Sequence, residues 1–329
     1  MIISVIIPVY NEEIFLRECL DSVRACPSSE MECIIVNDGS TDGSADICRS
    51  LVSEDVRFRM IEKKNTGVSD SRNIGVAEAV GKYVFFLDAD DYIDITRWSE
   101  ILEEAENNES DMIAFGYYSL FDSGNTKAEQ FPDDIDIKYA LLSTPLLNAC
   151  WGKLLRREVI KEHNILFRKG MKTCEDAIFV LDFACKAKSF AFLNNCVLYY
   201  RIHREGIMQK ASPEDKLLDF AKLFSRRKEY LENNYNERLK KAMYRDSFSV
   251  ITDFFRSCAK GRHLSEIRYI YKKSINNETT KAIMKEIDKK NLSPIYKKAE
   301  FALMQTECYT TLAIYFKIKH SLTALKVRS

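Results

Sequence analysis

Apolar and β-branched residues in the first third of the chain come in short runs: Ile2 to Val9, Glu32 to Asn37, Phe58 to Glu62 and Tyr83 to Leu87. Longer stretches of helical period separate them, among them Glu12 to Ala25 and Gly43 to Val52. This alternation predicts a mostly parallel α/β sheet covered by helices on both faces, with ligands bound beyond the carboxyl ends of the strands. Farther on, Asp94 to Asn107 reads as a capped helix, Asp111 to Leu120 as a strand, and Phe121 to Asp136 as an acidic surface connection. A further helix opens at Thr173-Cys-Glu-Asp-Ala-Ile-Phe179 and runs to about Lys186. From Pro213 the pattern is helical, broken by turn signals at Lys260-Gly261 and Ser293-Pro294. The expected organisation is a domain over residues 1–212 and a helical C-terminal region over 213–329.

The fourth run ends in Phe86-Leu-Asp-Ala-Asp-Asp91. Close carboxylates repel unless one is protonated or a cation lies between them. Hard oxygens at a strand end suit Mn2+ or Mg2+, above all where phosphate completes the shell. A solvated turn capping the next helix is the alternative. The chain supplies a control, because Asp134-Ile-Asp136 has the same spacing but follows Phe131-Pro-Asp133 with no apolar strand before it. That copy reads as an ordinary loop.

Pro8-Val-Tyr-Asn-Glu-Glu13, after the first run, has no glycine, which weighs against a dinucleotide-binding turn. After the second run, Asp38 is placed to accept from a base or ribose, while Thr41 and Asp42 read as a turn and helix cap. After the third, Asn65-Thr-Gly-Val-Ser-Asp-Ser-Arg-Asn-Ile-Gly75 is a glycine-flanked helix entry carrying Arg72. A helix start with a guanidinium suits an anionic or aromatic nucleotide group, and Gly67 and Gly75 equally fit a turn and close helix packing. Later in the chain, Glu175 and Asp176 at a helix start fit either a general base with an orienting partner or plain macrodipole charge.

Taken in order, Pro8 to Glu13, Asn37 to Asp42, Asn65 to Gly75 and Phe86 to Asp91 resemble glycosyltransferase family 2. The resemblance implies a GT-A, Rossmann-like fold, a nucleotide-diphosphate sugar donor, usually a UDP-sugar, and a Mn2+ or Mg2+ ion. It divides the first domain into a nucleotide-sugar half, 1–110, and an acceptor-side half, 111–212. By the same resemblance Pro8, Tyr10 and Asp38 hold the base and Arg72 contacts the nucleotide, with Glu12 in the same donor set. Asp88 lies by the ribose and supports the metal, and Asp90 binds the metal. Asp176 matches the usual base with Glu175 beside it, and Arg201, in Leu198-Tyr-Tyr-Arg-Ile-His203, reaches the diphosphate. His203, Trp151 and Lys153 complete the candidate list. The chain departs from the pattern at Arg204-Glu-Gly-Ile-Met208, where many members carry a serine. The implied reaction is inverting transfer to a hydroxyl of a saccharide or lipid-linked acceptor in cell-surface polysaccharide synthesis. The competing classes are a sugar nucleotidyltransferase, whose Gly-rich basic loop is missing here, and a non-catalytic nucleotide-sugar-binding relative.

The formal charge of zero conceals a division: residues 1–110 hold 10 Lys/Arg against 23 Asp/Glu, and residues 213–329 hold 25 against 14. The basic excess lies in the helical region, as a solvated face or as a surface that meets an anionic membrane or a second copy. Apolar residues from Phe301 to Phe316, followed by Lys317, Lys319, Lys326 and Arg328, favour the membrane version, read there as one helix from Ile295 to Ile318. Ten scattered cysteines without zinc spacing predict reduced thiols, and no nucleic-acid partner is expected. The N-terminus lacks a basic start and a cleavage site, which predicts a first strand rather than a signal peptide. The expected location is the cytoplasm, with peripheral contact at the inner face of the membrane.

Overall fold

The structure, a computed structural model, describes residues 1–27, 30–132, 134–143, 145–202, 211–288, 292 and 294–326. The chain divides into two compact units, Met1–Asp136 with Pro145–Lys210, and Ile137–Thr144 with Ala211–Ser329.

In the first unit β1 (Ile3–Val9), β2 (Met31–Asn37), β3 (Phe58–Glu62) and β4 (Tyr83–Phe86) are the four apolar runs, with α1 (Leu16–Arg24), α2 (Ser44–Glu54) and α3 (Val68–Glu78) between them. They pair in parallel in the order β3-β2-β1-β4. Every residue of β2 is buried, as a strand with helices on both faces requires. Its one carboxylate, Glu32, accepts from Ser4 Oγ at 2.5 Å and Val80 N at 2.8 Å and pairs with Arg59 at 3.4 Å. Gly75 lets α3 lie directly on β1, because a Cβ there would collide with Ile6. Gly67 caps α3 at φ 96°, a conformation open to glycine.

Beyond β4 the sheet becomes mixed. Next come β5 (Tyr92–Ile93), α4 (Ile95–Asn107), β6 (Met112–Phe121) and β7 (Thr126–Glu129). After residue 144 follow β8 (Lys153–Arg156), α6 (Arg157–Glu162), α7 (Glu175–Ala184) and β9 (Phe190–Ile202), while α5 (Ile137–Ser143) lies in the second unit. The order continues β4-β8-β6-β9-β5; β8 is antiparallel to β4 and β6, and β5 is antiparallel to β9. The connection expected at 121–136 contains β7, which turns back on β6 as a hairpin. Helix α5, which the sequence pattern did not single out, packs with the C-terminal helices.

The second unit continues with α8 (Pro213–Asn233), α9 (Glu237–Cys258), α10 (Leu264–Ile275), α11 (Glu278–Glu286), α12 (Ile295–Gln305) and α13 (Tyr309–Lys326). Ser212, Asn236 and Asn277 cap α8, α9 and α11 by accepting from backbone amides; the first sits at the expected start of the helical region, and the other two mark breaks that hydrophobic period alone did not reveal. The single last helix is two helices, and Phe301, Met304, Leu312 and Phe316 are buried. Phe316 packs edge-on to Phe255 and Tyr271, so these four side chains, read as part of a surface, are core. Ile314 and Ile318 remain exposed. No described helix is long and apolar enough to cross a membrane.

Candidate active site

The carboxyl ends of β1, β2 and β4 carry the predicted donor motifs. Tyr10, just past β1, is 43% exposed, and Pro8 lies within the strand opposite Val36. Glu12 opens α1: its carbonyl accepts from Phe15 N and Leu16 N, and its amide donates to Ser44 Oγ at 2.9 Å. Glu13 Oε2 accepts from Gly43 N at 2.7 Å and Asn11 Oδ1 from Thr41 N at 2.8 Å, so the loops after β1 and β2 are stitched together. Asp38 is buried with both oxygens engaged: Oδ1 accepts from Lys63 Nζ and from Thr66 N at 2.8 Å, and Oδ2 from Gly67 N at 2.8 Å. It therefore shapes the loop that leads into α3.

The centre of the site is Arg72. Its guanidinium, 3% exposed, pairs with Asp88 at 2.8 Å, Asp176 at 2.5 Å and Glu175 at 3.4 Å, and lies 5.3 Å from the Phe167 ring. One buried cation thus joins the strand-end carboxylate to the two at the start of α7. Helix α3 sets this up, since Asn73 exchanges two hydrogen bonds with the Phe167 backbone, at 2.8 and 2.9 Å, and Asp70 pairs with Lys169. Cys174, immediately before Glu175, sits at φ 63°. A left-handed non-glycine residue costs on the order of 1–2 kcal/mol, and here it aims the first turn of α7 at Arg72.

Burial pushes the Asp176 carboxyl up from the usual carboxylate range, against the pull of Arg72. The outcome is a carboxyl group of raised basicity that accepts from a guanidinium. Glu175 is pushed up to about 7, by burial first and by the charge of Asp176 second. Cys150 N donates to Asp176 Oδ2 at 3.3 Å. Lys153 is buried, and its Nζ donates to the carbonyls of Leu146, Ala149 and Trp151 at 2.8 to 3.2 Å. It shapes the loop that carries Cys150 and does not reach the carboxylates through these bonds. Trp151 stacks on Tyr200 at 4.8 Å, with Tyr117 edge-on at 4.7 Å.

Arg201 is held internally: its guanidinium pairs with Glu18 and lies 4.9 Å from the Phe15 ring and 5.1 Å from the Tyr92 ring. His203 and the 204–208 segment lie outside the described residues. Sequence reasoning missed Phe167, Cys150 and Tyr200, which carry no chemical signature of a site. It also left Asp91 without a role in the site. Asp91 is 1% exposed, with Oδ1 accepting from Arg201 N at 2.8 Å and Oδ2 buried without a hydrogen-bond partner.

A hard divalent cation needs six or more oxygens. Among the described residues no three His, Cys, Asp or Glu side chains form a complete metal-holding group. Asp88 and Asp90, partly exposed on the turn after β4, supply a partial hard-oxygen set. That set fits a cation whose remaining ligands come from a bound phosphate.

The mixed sheet with its flanking helices is shared with solved structures. The structure of S. aureus TarS residues 1–349 in complex with UDP-GlcNAc superposes with a TM-score of 0.70 at 19% identity, covering 98% of this chain and 92% of that one. This likeness defines the fold as GT-A. The model of glycosyl transferase family 2 matches residues 4–163. EpsH of Bacillus subtilis, assigned as a glycosyltransferase, is 32% identical over 76% of this chain and 74% of its own length. The uncharacterized glycosyltransferase EpsJ of the same organism is 31% identical, and the match spans 61% of each chain, less than two thirds of that relative. The chain belongs to glycosyltransferase family 2.

Proposed function

We propose that this chain is an inverting, divalent-metal-dependent glycosyltransferase that moves a sugar from a UDP-sugar to a hydroxyl of a saccharide or lipid-linked acceptor in cell-surface polysaccharide synthesis. The observation that carries the reading is the Arg72 bridge between Asp88 and Asp176, which joins the donor strand end to a candidate base. The relation to TarS, named as a poly(ribitol-phosphate) β-N-acetylglucosaminyltransferase in Staphylococcus aureus and solved with UDP-GlcNAc, supports UDP as the leaving nucleotide.

Tyr10 offers an exposed ring to the base, and the loop fixed by Asp38 walls the nucleoside. A cation held by Asp90, with Asp88 behind it, would neutralise the departing diphosphate. Asp176 takes the acceptor hydroxyl proton. The hydroxyl oxygen bonds the anomeric carbon from the face opposite the nucleotide, and the bond to the diphosphate breaks with its electron pair leaving on UDP. Arg72 orients Asp176, and Glu175 shares the same guanidinium. Arg201 would have to exchange Glu18 for phosphate to contact the donor through its side chain. Peripheral attachment to an anionic membrane is part of this reading, supported by exposed Ile314 and Ile318 beside Lys317 in a basic unit.

A panel of nucleotide sugars with Mn2+ tests the donor class, because a ligand of the native state raises the melting temperature. UDP-sugars should shift it and GDP-sugars should not; no shift with any UDP-sugar removes the proposal. Asp176→Asn retains the Arg72 contact and should bind the donor while transfer falls about 10²- to 10⁴-fold, the usual worth of a general base. Undiminished transfer would end the assignment of Asp176 as base.

A further inference from the structure

Four separate parts of the first unit converge on the end of β9. The turn after β4 brings Asp91, whose Oδ1 accepts the Arg201 amide at 2.8 Å. β5 brings Tyr92 and the residue before α1 brings Phe15, whose rings lie on the Arg201 guanidinium, while α1 itself brings Glu18 to pair with it. Helix α1 also grips the turn directly, through Cys19 Sγ to the Asp88 carbonyl at 3.6 Å, and holds β5 through Ile93 N to Ser22 Oγ at 3.1 Å.

We infer that Asp91 is a positioning residue: by accepting the Arg201 amide it fixes the end of β9 to the Asp88–Asp91 turn. Asp88 and Asp90 stand partly exposed on that turn, whereas Asp91 is directed inward at 1% exposure. Its second oxygen meets no donor, so the protein's own hydrogen bonding uses Asp91 through one acceptor atom. An acceptor on a buried side chain is worth more than an exposed one, because water competes less for the amide it holds. The chain that leaves β9 at Ile202 therefore starts from a fixed point beside the carboxylates. The consequence for donor binding rests on the proposed function; the anchoring does not.

Asparagine keeps the acceptor oxygen and drops the charge, while alanine drops both. Amide hydrogen exchange at Arg201 should speed up at least about 10-fold in Asp91→Ala and stay within about 3-fold of the unaltered chain in Asp91→Asn, as expected for one hydrogen bond. With a UDP-sugar and Mn2+, Asp91→Ala should raise the donor KM more than it lowers kcat, and Asp91→Asn should recover most of the loss. Equal exchange in both variants and the unaltered chain would overturn the anchoring. Equal damage in Asn and Ala, in exchange and in KM alike, would show that Asp91 acts by charge and would overturn the role assigned to its acceptor atom. A chain that transfers no sugar but shows the exchange pattern keeps the anchor and loses only the proposed reaction.

Discussion

The chain contains the same short pattern twice, and the two copies behave differently. Asp88-Ala-Asp90 follows a fully buried strand and sits on a turn whose third aspartate is inside the protein. Asp134-Ile-Asp136 follows a surface hairpin, and both of its carboxylates are exposed. What separates them is the platform: the first copy has a sheet beneath it, α1 gripping it and Arg72 tying it to α7. Two carboxylates in solvent cost little and do little, whereas two held rigid at a strand end create a local field that a cation or guanidinium must answer.

The comparison breaks most directly by mutation. Asp90→Ala should reduce Mn2+-dependent UDP-sugar binding by about 100-fold or more, on the scale of losing the charge neutralisation a metal supplies, while Asp136→Ala should leave it unchanged. Titration calorimetry reads both. Equal binding by the two variants would mean that the platform confers nothing on the first copy.

A smaller effect lies in the opposite wall. Glu175 has its carboxyl raised from 4.5 to about 7 by burial, so the folded state holds that proton more tightly than the unfolded chain does. The stability from this group is complete below about pH 4.5 and is lost as pH rises through about 7. Glu175→Gln should therefore gain stability over the unaltered chain on going from pH 4.5 to pH 8, by up to about 3 kcal/mol at 1.4 kcal/mol per pH unit. Thermal melts at the two pH values decide it, and a constant difference between the chains would remove the buried proton from the account.

The smallest effect concerns the helical unit. Replacing both Ile314 and Ile318 by Asp removes exposed apolar area worth on the order of 1–3 kcal/mol of interfacial binding. Flotation with anionic vesicles should recover several-fold less of the double variant, with neutral vesicles as the blank. Equal flotation of the two chains moves the membrane contact elsewhere, and no flotation of either removes it.

The linear pattern alone carried the first four strands, the strand-end aspartates, Arg72 at the head of α3 and the glycines at 67 and 75, because burial on both faces, turn chemistry and close packing each leave a local mark. It also separated the two Asp-x-Asp copies, since the preceding strand is visible in sequence. Only the tertiary structure decided that Arg72 and Asp176, 104 residues apart, share a bond. It likewise assigned Lys153 to carbonyls, turned Asp91 inward and buried Phe301 and Phe316. Periodicity records that a side chain leaves water; which group receives it depends on the path of the chain in three dimensions.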